Sequence, residues 1–108
     1  AITEDGLLYN VDGNANRVAA LCFGPRKVVV IAGYNKVVRN LHAAAERVRA
    51  IAAPANCIRL GKKTPCASTG HCMDCKSPDH ICCDRVIQGF QRDPERIKVF
   101  LLPEDFGY

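Results

Sequence analysis

The chain has 108 residues, close to half of them hydrophobic and about a quarter charged, with a net charge of +4, seven cysteines and no tryptophan. That is enough apolar material for one packed domain and too much for a disordered segment. Lysine and arginine alternate with aspartate and glutamate instead of forming a block, which argues against a dedicated nucleic-acid surface, and no apolar run is long enough to span a bilayer.

Read in chain order, the first third is strand-like. Leu7–Val11 and Arg17–Phe23 are short aliphatic runs joined by Asp12-Gly13-Asn14, a cluster that suits a hairpin or another tight connection. Gly24-Pro25 closes the second run. Lys27–Ala32 (KVVVIA) is a continuous β-branched stretch of the kind found in strands covered on both faces, so it is expected at the centre of a sheet with parallel pairing.

After Gly33 the period changes. Val37, Leu41, Ala44, Val48 and Ile51 recur at four–three spacing, which predicts an amphipathic helix from about Asn35 to Ala52, with Asn35 as N-cap and Pro54 as stop. A strand is expected at Arg85–Gln91, a turn at Arg92-Asp93-Pro94 and a last strand at Ile97–Leu102. These elements make an α/β fold: a mixed sheet of about five strands, one long helix on a face, and a cysteine-rich loop at residues 62–84 as an excursion. A sheet covered on one side leaves apolar surface bare, so association with a second copy or with further chain is expected.

The loop carries the strongest chemical signal. Cys66, Cys72, Cys75, Cys82 and Cys83 fall between Pro65 and Asp84, and the spacing Cys66-x5-Cys72-x2-Cys75-x6-Cys82 offers four thiolates to one soft metal ion or iron–sulfur cluster. A C-x-x-C turn points two sulfurs at the same atom. Zinc and an iron–sulfur cluster both accept four cysteines, and the spacing does not choose between them. His71 and His80 are substitutes for one thiolate, and Cys83 is the spare. Lys62, Lys63, Lys76 and Arg85 lie close enough in sequence to offset thiolate charge. Two other chemistries accommodate the same cysteines: a disulfide framework, which needs an oxidising compartment, and inert thiols in a turn-rich loop. Confinement of the cluster to one loop reads as a reduced, cytoplasmic protein. Cys22 and Cys57 lie outside the loop and read as buried structural thiols.

Val30-Ile31-Ala32-Gly33-Tyr34-Asn35-Lys36 has the order strand, glycine turn, helix start, as in the phosphate-binding corners of open α/β sheets. With Asn16 and Arg17 it makes Asn16, Arg17, Gly33, Asn35 and Lys36 a candidate site for a phosphate- or carboxylate-containing ligand.

These residues carry a family resemblance. Ala1-Ile2-Thr3-Glu4-Asp5-Gly6, Asn10 to Ala20, Gly24-Pro25-Arg26-Lys27-Val28, Gly33-Tyr34-Asn35-Lys36 and Ala53-Pro54 resemble the LUD domain of lactate-utilisation proteins. Thr64-Pro65-Cys66, Gly70-His71-Cys72-Met73-Asp74-Cys75, Ser77-Pro78 and Glu104-Asp105-Phe106-Gly107-Tyr108 continue the same resemblance in family order. It covers the C-terminal part of such a domain, so residues 1–108 are expected to be a portion of a single LUD domain. The resemblance implies a sugar-phosphate isomerase/CoA-transferase-like fold and a role beside iron–sulfur partner proteins in oxidation of L-lactate to pyruvate. The alternative is a non-catalytic binding module with a structural zinc loop. By similarity to CoA-transferase-like enzymes, Glu4 in Thr3-Glu4-Asp5-Gly6 is a candidate nucleophile, against which stands the reading of Glu4 and Asp5 as turn carboxylates.

Overall fold

The computed structural model describes residues 1–108, and its elements follow local chemistry more closely than hydrophobic period. Strand β1 (Ile2–Thr3) turns back through Glu4-Asp5-Gly6 into β2 (Leu8–Asp12), with Ile2 opposite Leu8. Gly6 takes a positive φ of 92° in that turn, and the buried Thr3 hydroxyl holds it by accepting the Leu7 N–H at 2.8 Å. The hairpin therefore precedes β2.

The second aliphatic run corrects the expected strand: Asn16–Cys22 is a helix, α1. Its reason lies in Asp12, whose Oδ2 accepts the N–H groups of both Arg17 and Val18 at 3.1 Å. A carboxylate spanning two free donors of a first turn fixes a helix start that Asp12-Gly13-Asn14 alone leaves ambiguous with a hairpin. Val18 is the buried residue of α1.

Strand β3 (Val28–Gly33) forms where expected but is not central. It pairs in parallel with β6 (Ile97–Leu102) in a two-stranded sheet, from Val28 opposite Ile97 to Gly33 opposite Leu102. Val29 is 61% exposed, Ile31 56% and its partner Phe100 56%, so its β-branched run is not covered on both faces within this chain. The other sheet has four strands in the order β4-β1-β2-β5, with β4 at Val37–Val38 parallel to β1 and β5 at Asp84–Gln88 antiparallel to β2. Six strands in two sheets replace the single sheet of about five.

The long helix also begins and ends differently. Tyr34–Lys36 is a single 3-10 turn, and α2 (Leu41–Arg47) starts at Asn40, whose side chain accepts the Ala43 N–H at 3.0 Å. Asn35 instead holds the C-terminal segment, donating to the Gly107 carbonyl at 2.9 Å and accepting the Phe106 N–H at 3.3 Å. Gly33 lies under that segment, where a Cβ would collide with the backbone of Glu104 and Phe106.

Pro54 does not stop the helix. The rod widens into a π-helical segment (Val48–Ala52) and continues as α3 (Ala53–Arg59), with Pro54 in the first turn. Proline clashes with the carbonyl four residues before it in an ordinary helix, and the wider turn relieves the clash. The cysteine-rich segment is not wholly loop either: Pro65–Thr69 forms α4, ended by Gly70 at φ 79°.

The core is thin, and its eight buried hydrophobic residues include Cys57 and Cys66. Cys66, which sequence spacing marks as a ligand, is thus also packing material. Replacing Asn40 with alanine should cost about 1 kcal/mol by removing the α2 cap, read as a lower urea midpoint, while Asn35→Ala should leave α2 capped.

Candidate thiol centre

Five cysteines converge from three elements. Cys57 lies on α3, Cys66 on α4, and Cys72, Cys75 and Cys82 on the extended segment between α4 and β5. All seven cysteines of the chain are free thiols. Two of them are held in the thiol form by their surroundings. Burial pushes the Cys82 thiol up to about 11, reinforced by the neighbouring Cys57, Cys72 and Cys66 sulfurs and opposed by Arg85. Burial likewise raises Cys57, where the Thr64 hydroxyl works the other way and Cys66 and Cys75 add to the rise. Groups that would repel one another as anions stay protonated until a positive centre joins them.

Cys57 is buried, as expected. It is 1% exposed, nine positions before Cys66, and a helical turn brings it to the cysteine segment. Cys22 corrects the expectation of a buried thiol, since it is exposed at the end of α1. Cys83 is exposed as well; its N–H donates to the Asp12 carbonyl at 3.0 Å and its Sγ reaches the His80 carbonyl at 3.6 Å.

The segment is anchored at both ends and along its length. The wide helical turn continues the pattern in which each N–H reaches five residues back, as Ala53 N–H does to the Val48 carbonyl. The next donor would be Pro54, which has no N–H, so the Arg49 carbonyl is left free. Cys72 N–H takes that carbonyl at 3.1 Å. The Arg49 side chain then grips Asp74 with two guanidinium–carboxylate hydrogen bonds, one of them 2.8 Å from Nη2 to Oδ2.

Between these contacts Asp74 sits at φ 49° and its N–H points at Cys72 Sγ, 3.4 Å away. This N–H fixes the position of the Cys72 sulfur within the C-x-x-C turn, and the Asp74 Oδ1 lies 3.9 Å from the same sulfur. Farther on, the Asp79 carboxylate accepts the Lys63 N–H at 2.7 Å and lies 3.5 Å from Lys62 Nζ. His80 Nδ1 stands 3.7 Å from Cys75 Sγ, and the Thr64 hydroxyl 3.3 Å from Cys66 Sγ. His71 is exposed and bonded to its own turn through Thr69.

As arranged, no three His, Cys, Asp or Glu side chains form a set that could hold a metal ion. The donors are gathered, and not closed round one point. A soft cation placed among them would replace thiol protons, but burial, more than the neighbouring sulfurs, is what raises Cys57 and Cys82. Cys72 and Cys82 also line a cavity of about 320 Å³ with Arg49, Asp74 and Arg85.

The residues expected to bind an anion separate into two groups. Arg17 and Lys36 line a common cavity of about 230 Å³ together with Arg47 and Cys82. Asn16 is exposed at the start of α1, and Gly33 and Asn35 are engaged by the C-terminal segment. Glu4 is exposed in the β1–β2 turn, its N–H on the Val38 carbonyl. Arg47 lies on the expected helix, whose apolar stripe gives no sign of its inward placement, and Asn56 lies beyond the expected stop at Pro54.

These features define an α/β domain that builds a thiol-rich centre against a helical rod. The LUD domain model matches residues 1–102, and the chain belongs to the LUD domain family, which is associated with lactate utilisation. No curated protein and no solved structure matches it. No helix is long and apolar enough to cross a membrane.

The Arg49 clamp is pH-dependent. The hydrogen bonds from Arg49, and its charge, hold the Asp74 carboxyl below its ordinary 3.8, against a smaller opposing effect of desolvation. A carboxyl depressed on folding contributes stability above its unfolded value and loses it as pH falls through the folded one. The cysteine segment should therefore loosen below about pH 4. Hydrogen exchange at the Cys72 and Asp74 amides should show this, and in Arg49→Met the amides should exchange faster even at neutral pH.

Proposed function

We propose that this LUD-family chain serves the oxidation of L-lactate to pyruvate as a subunit or accessory, with a metal centre held by Cys66, Cys72, Cys75 and Cys82. The observation that carries the reading is the nearness of Cys66 and Cys72 to Cys82, with Asp74 N–H aimed at Cys72 Sγ and Cys72 N–H on the Arg49 carbonyl. The first contact shapes the turn that presents sulfur, and the second ties that turn to the carbonyl that Pro54 leaves free in the rod. Bound iron–sulfur cluster would supply electron transfer. Lactate oxidation releases an electron pair and two protons, and acceptors of the iron–sulfur class among partner proteins would take the electrons. A reducing, cytoplasmic setting is consistent with seven free thiols. The layering of helices on mixed strands is in keeping with the sugar-phosphate isomerase/CoA-transferase-like fold.

A structural zinc site in a binding module is the second reading, favoured by the burial of Cys57 and Cys66 in the core, where metal would act as a staple. A visible absorption spectrum of anaerobically prepared protein separates the two: sulfur-to-iron charge transfer supports the first, a colourless zinc-containing sample the second. In either case Cys72→Ser or Cys75→Ser should abolish stoichiometric metal, while Cys83→Ser and Cys22→Ser should retain it. Equal metal in all four variants, or none in the wild type, would refute the centre.

We also propose that the bare face of β3 and β6 is covered in the working protein, by a second copy or by LUD-domain sequence preceding Ala1. A two-stranded sheet is too little to stand alone, and Val29, Ile31 and Phe100 form adjacent exposed apolar positions. Sedimentation should show the 108-residue chain associating at micromolar concentration; a clean monomer would count against self-association.

A further inference from the structure

Beside the thiol centre lies the cavity of about 230 Å³. One part of its wall carries Arg17, Lys36 and Arg47, and no aspartate or glutamate lines it. Arg17 is partly offset by Asp12, 3.8 Å away. Lys36 and Arg47 take part in no ion pair. Lys36 Nζ donates to the Tyr108 carbonyl and Arg47 Nε to the Asn35 carbonyl at 2.8 Å, which leaves further donors on both side chains. Burial lowers both groups, Arg47 lowers Lys36 further, and the Asp105 carboxylate acts the other way on Arg47. Lys36 and Arg47, each partly buried, bring two cations to one wall, and an anion in the cavity would meet the donors they have left.

Another part of the wall is apolar, formed by Val11, Val48, Ala52, Ala53 and Ile81. An inorganic anion has no use for such a surface, whereas a carbon skeleton does. Asn10 and Asn56 add amides that can meet a hydroxyl or keto oxygen. Tyr9, Val48, Ala53 and Cys82 line both this cavity and the one that holds Cys72, Asp74 and Arg85, so one thin wall separates them.

We propose that this cavity binds a small organic carboxylate, its charge on Lys36 and Arg47 and its short carbon chain against Val48 and Ala52, next to Cys82. The inference deepens the proposed function, since it gives the substrate class a place beside the centre, but the cavity can be tested without the metal reading. The carboxylate is recognised by charge-assisted hydrogen bonds, which lose their geometry when either cation is removed. Size discrimination comes from the short alanine side chains of the rod, and a larger residue at position 52 would occupy the space of the carbon chain.

Calorimetric titration of the full chain with L-lactate, pyruvate and inorganic phosphate tests this, with metal content measured on the same samples. Wild type should bind at least one of the two organic acids with unit stoichiometry and more tightly than phosphate. Lys36→Met and Arg47→Gln should each weaken that binding by about tenfold or more. Ala52→Leu, with circular dichroism unchanged, should remove organic-acid binding and spare any residual phosphate binding. Absence of organic-acid binding at millimolar concentration would overturn the proposal, as would phosphate binding more tightly or an unaffected Ala52→Leu. Loss of acid binding with metal retained sinks the cavity alone; acid binding in metal-free wild type sinks only the thiol centre.

Discussion

The missing N–H of Pro54 organises much of this structure. A proline inside a helical rod forces the backbone to widen, and a widened turn leaves a carbonyl without its donor. The orphan is that of Arg49, and an unpaired carbonyl near the interior is expensive enough to recruit a partner. It recruits Cys72 N–H from a segment more than twenty residues away. From the same residue the guanidinium takes Asp74, so one position of the rod fixes both sides of the Cys72-Met73-Asp74 turn. The thiol segment has little regular hydrogen bonding of its own between α4 and β5, and these contacts supply much of its order.

Electrostatics explains why the anchoring is needed. Cys57 and Cys82 are harder to ionise than isolated thiols, because each is partly or wholly withdrawn from water and faces other sulfurs. Protonated thiols attract one another little, so sulfur–sulfur contact cannot hold the group together. Position is imposed from outside, by Arg49 and Asp74 on one side and by Asp79 on Lys62 and Lys63 on the other. Arg85 brings a positive charge to Cys82 and Asp74, as its place in the sequence suggested, whereas Lys62 and Lys63 are engaged by Asp79.

Much of this was legible in the sequence where the signal was local. The strands β2, β3 and β6 follow β-branched and aliphatic runs, and Ile97–Leu102 has the expected bounds. The family was readable because several separate motifs occur in order, and the family model spans nearly the same length. Failures came where a residue acts at a distance from its position. Asp12 looked like a turn residue and works as a cap five and six residues downstream. Asn35 looked like a cap and works as a tether for residues seventy positions away. Pro54 looked like a stop because period and propensity carry no information about a turn of different width. Cys22, expected to be buried in an aliphatic run, is exposed because that run is a short helix whose buried residue is Val18, whereas Cys57 is buried as its setting suggests.

The rod itself shows why a thiol centre and a cation-lined cavity sit back to back. Arg47 and Arg49 are two residues apart, and on a regular helix such neighbours point about 200° apart, toward opposite sides. Arg47 lines the cavity with Lys36, while Arg49 clamps the cysteine segment. Val48 and Ala53 lie between and face both cavities. Past the wide turn, Asn56 returns to the cation side and Cys57 to the thiol side. An ordinary helix ending at Pro54, as its sequence alone would have it, would deliver the arginines but neither Asn56 nor Cys57. Continuation through the proline is therefore what lets one stretch of chain furnish both walls, and the carbonyl it leaves free is bonded by the thiol segment.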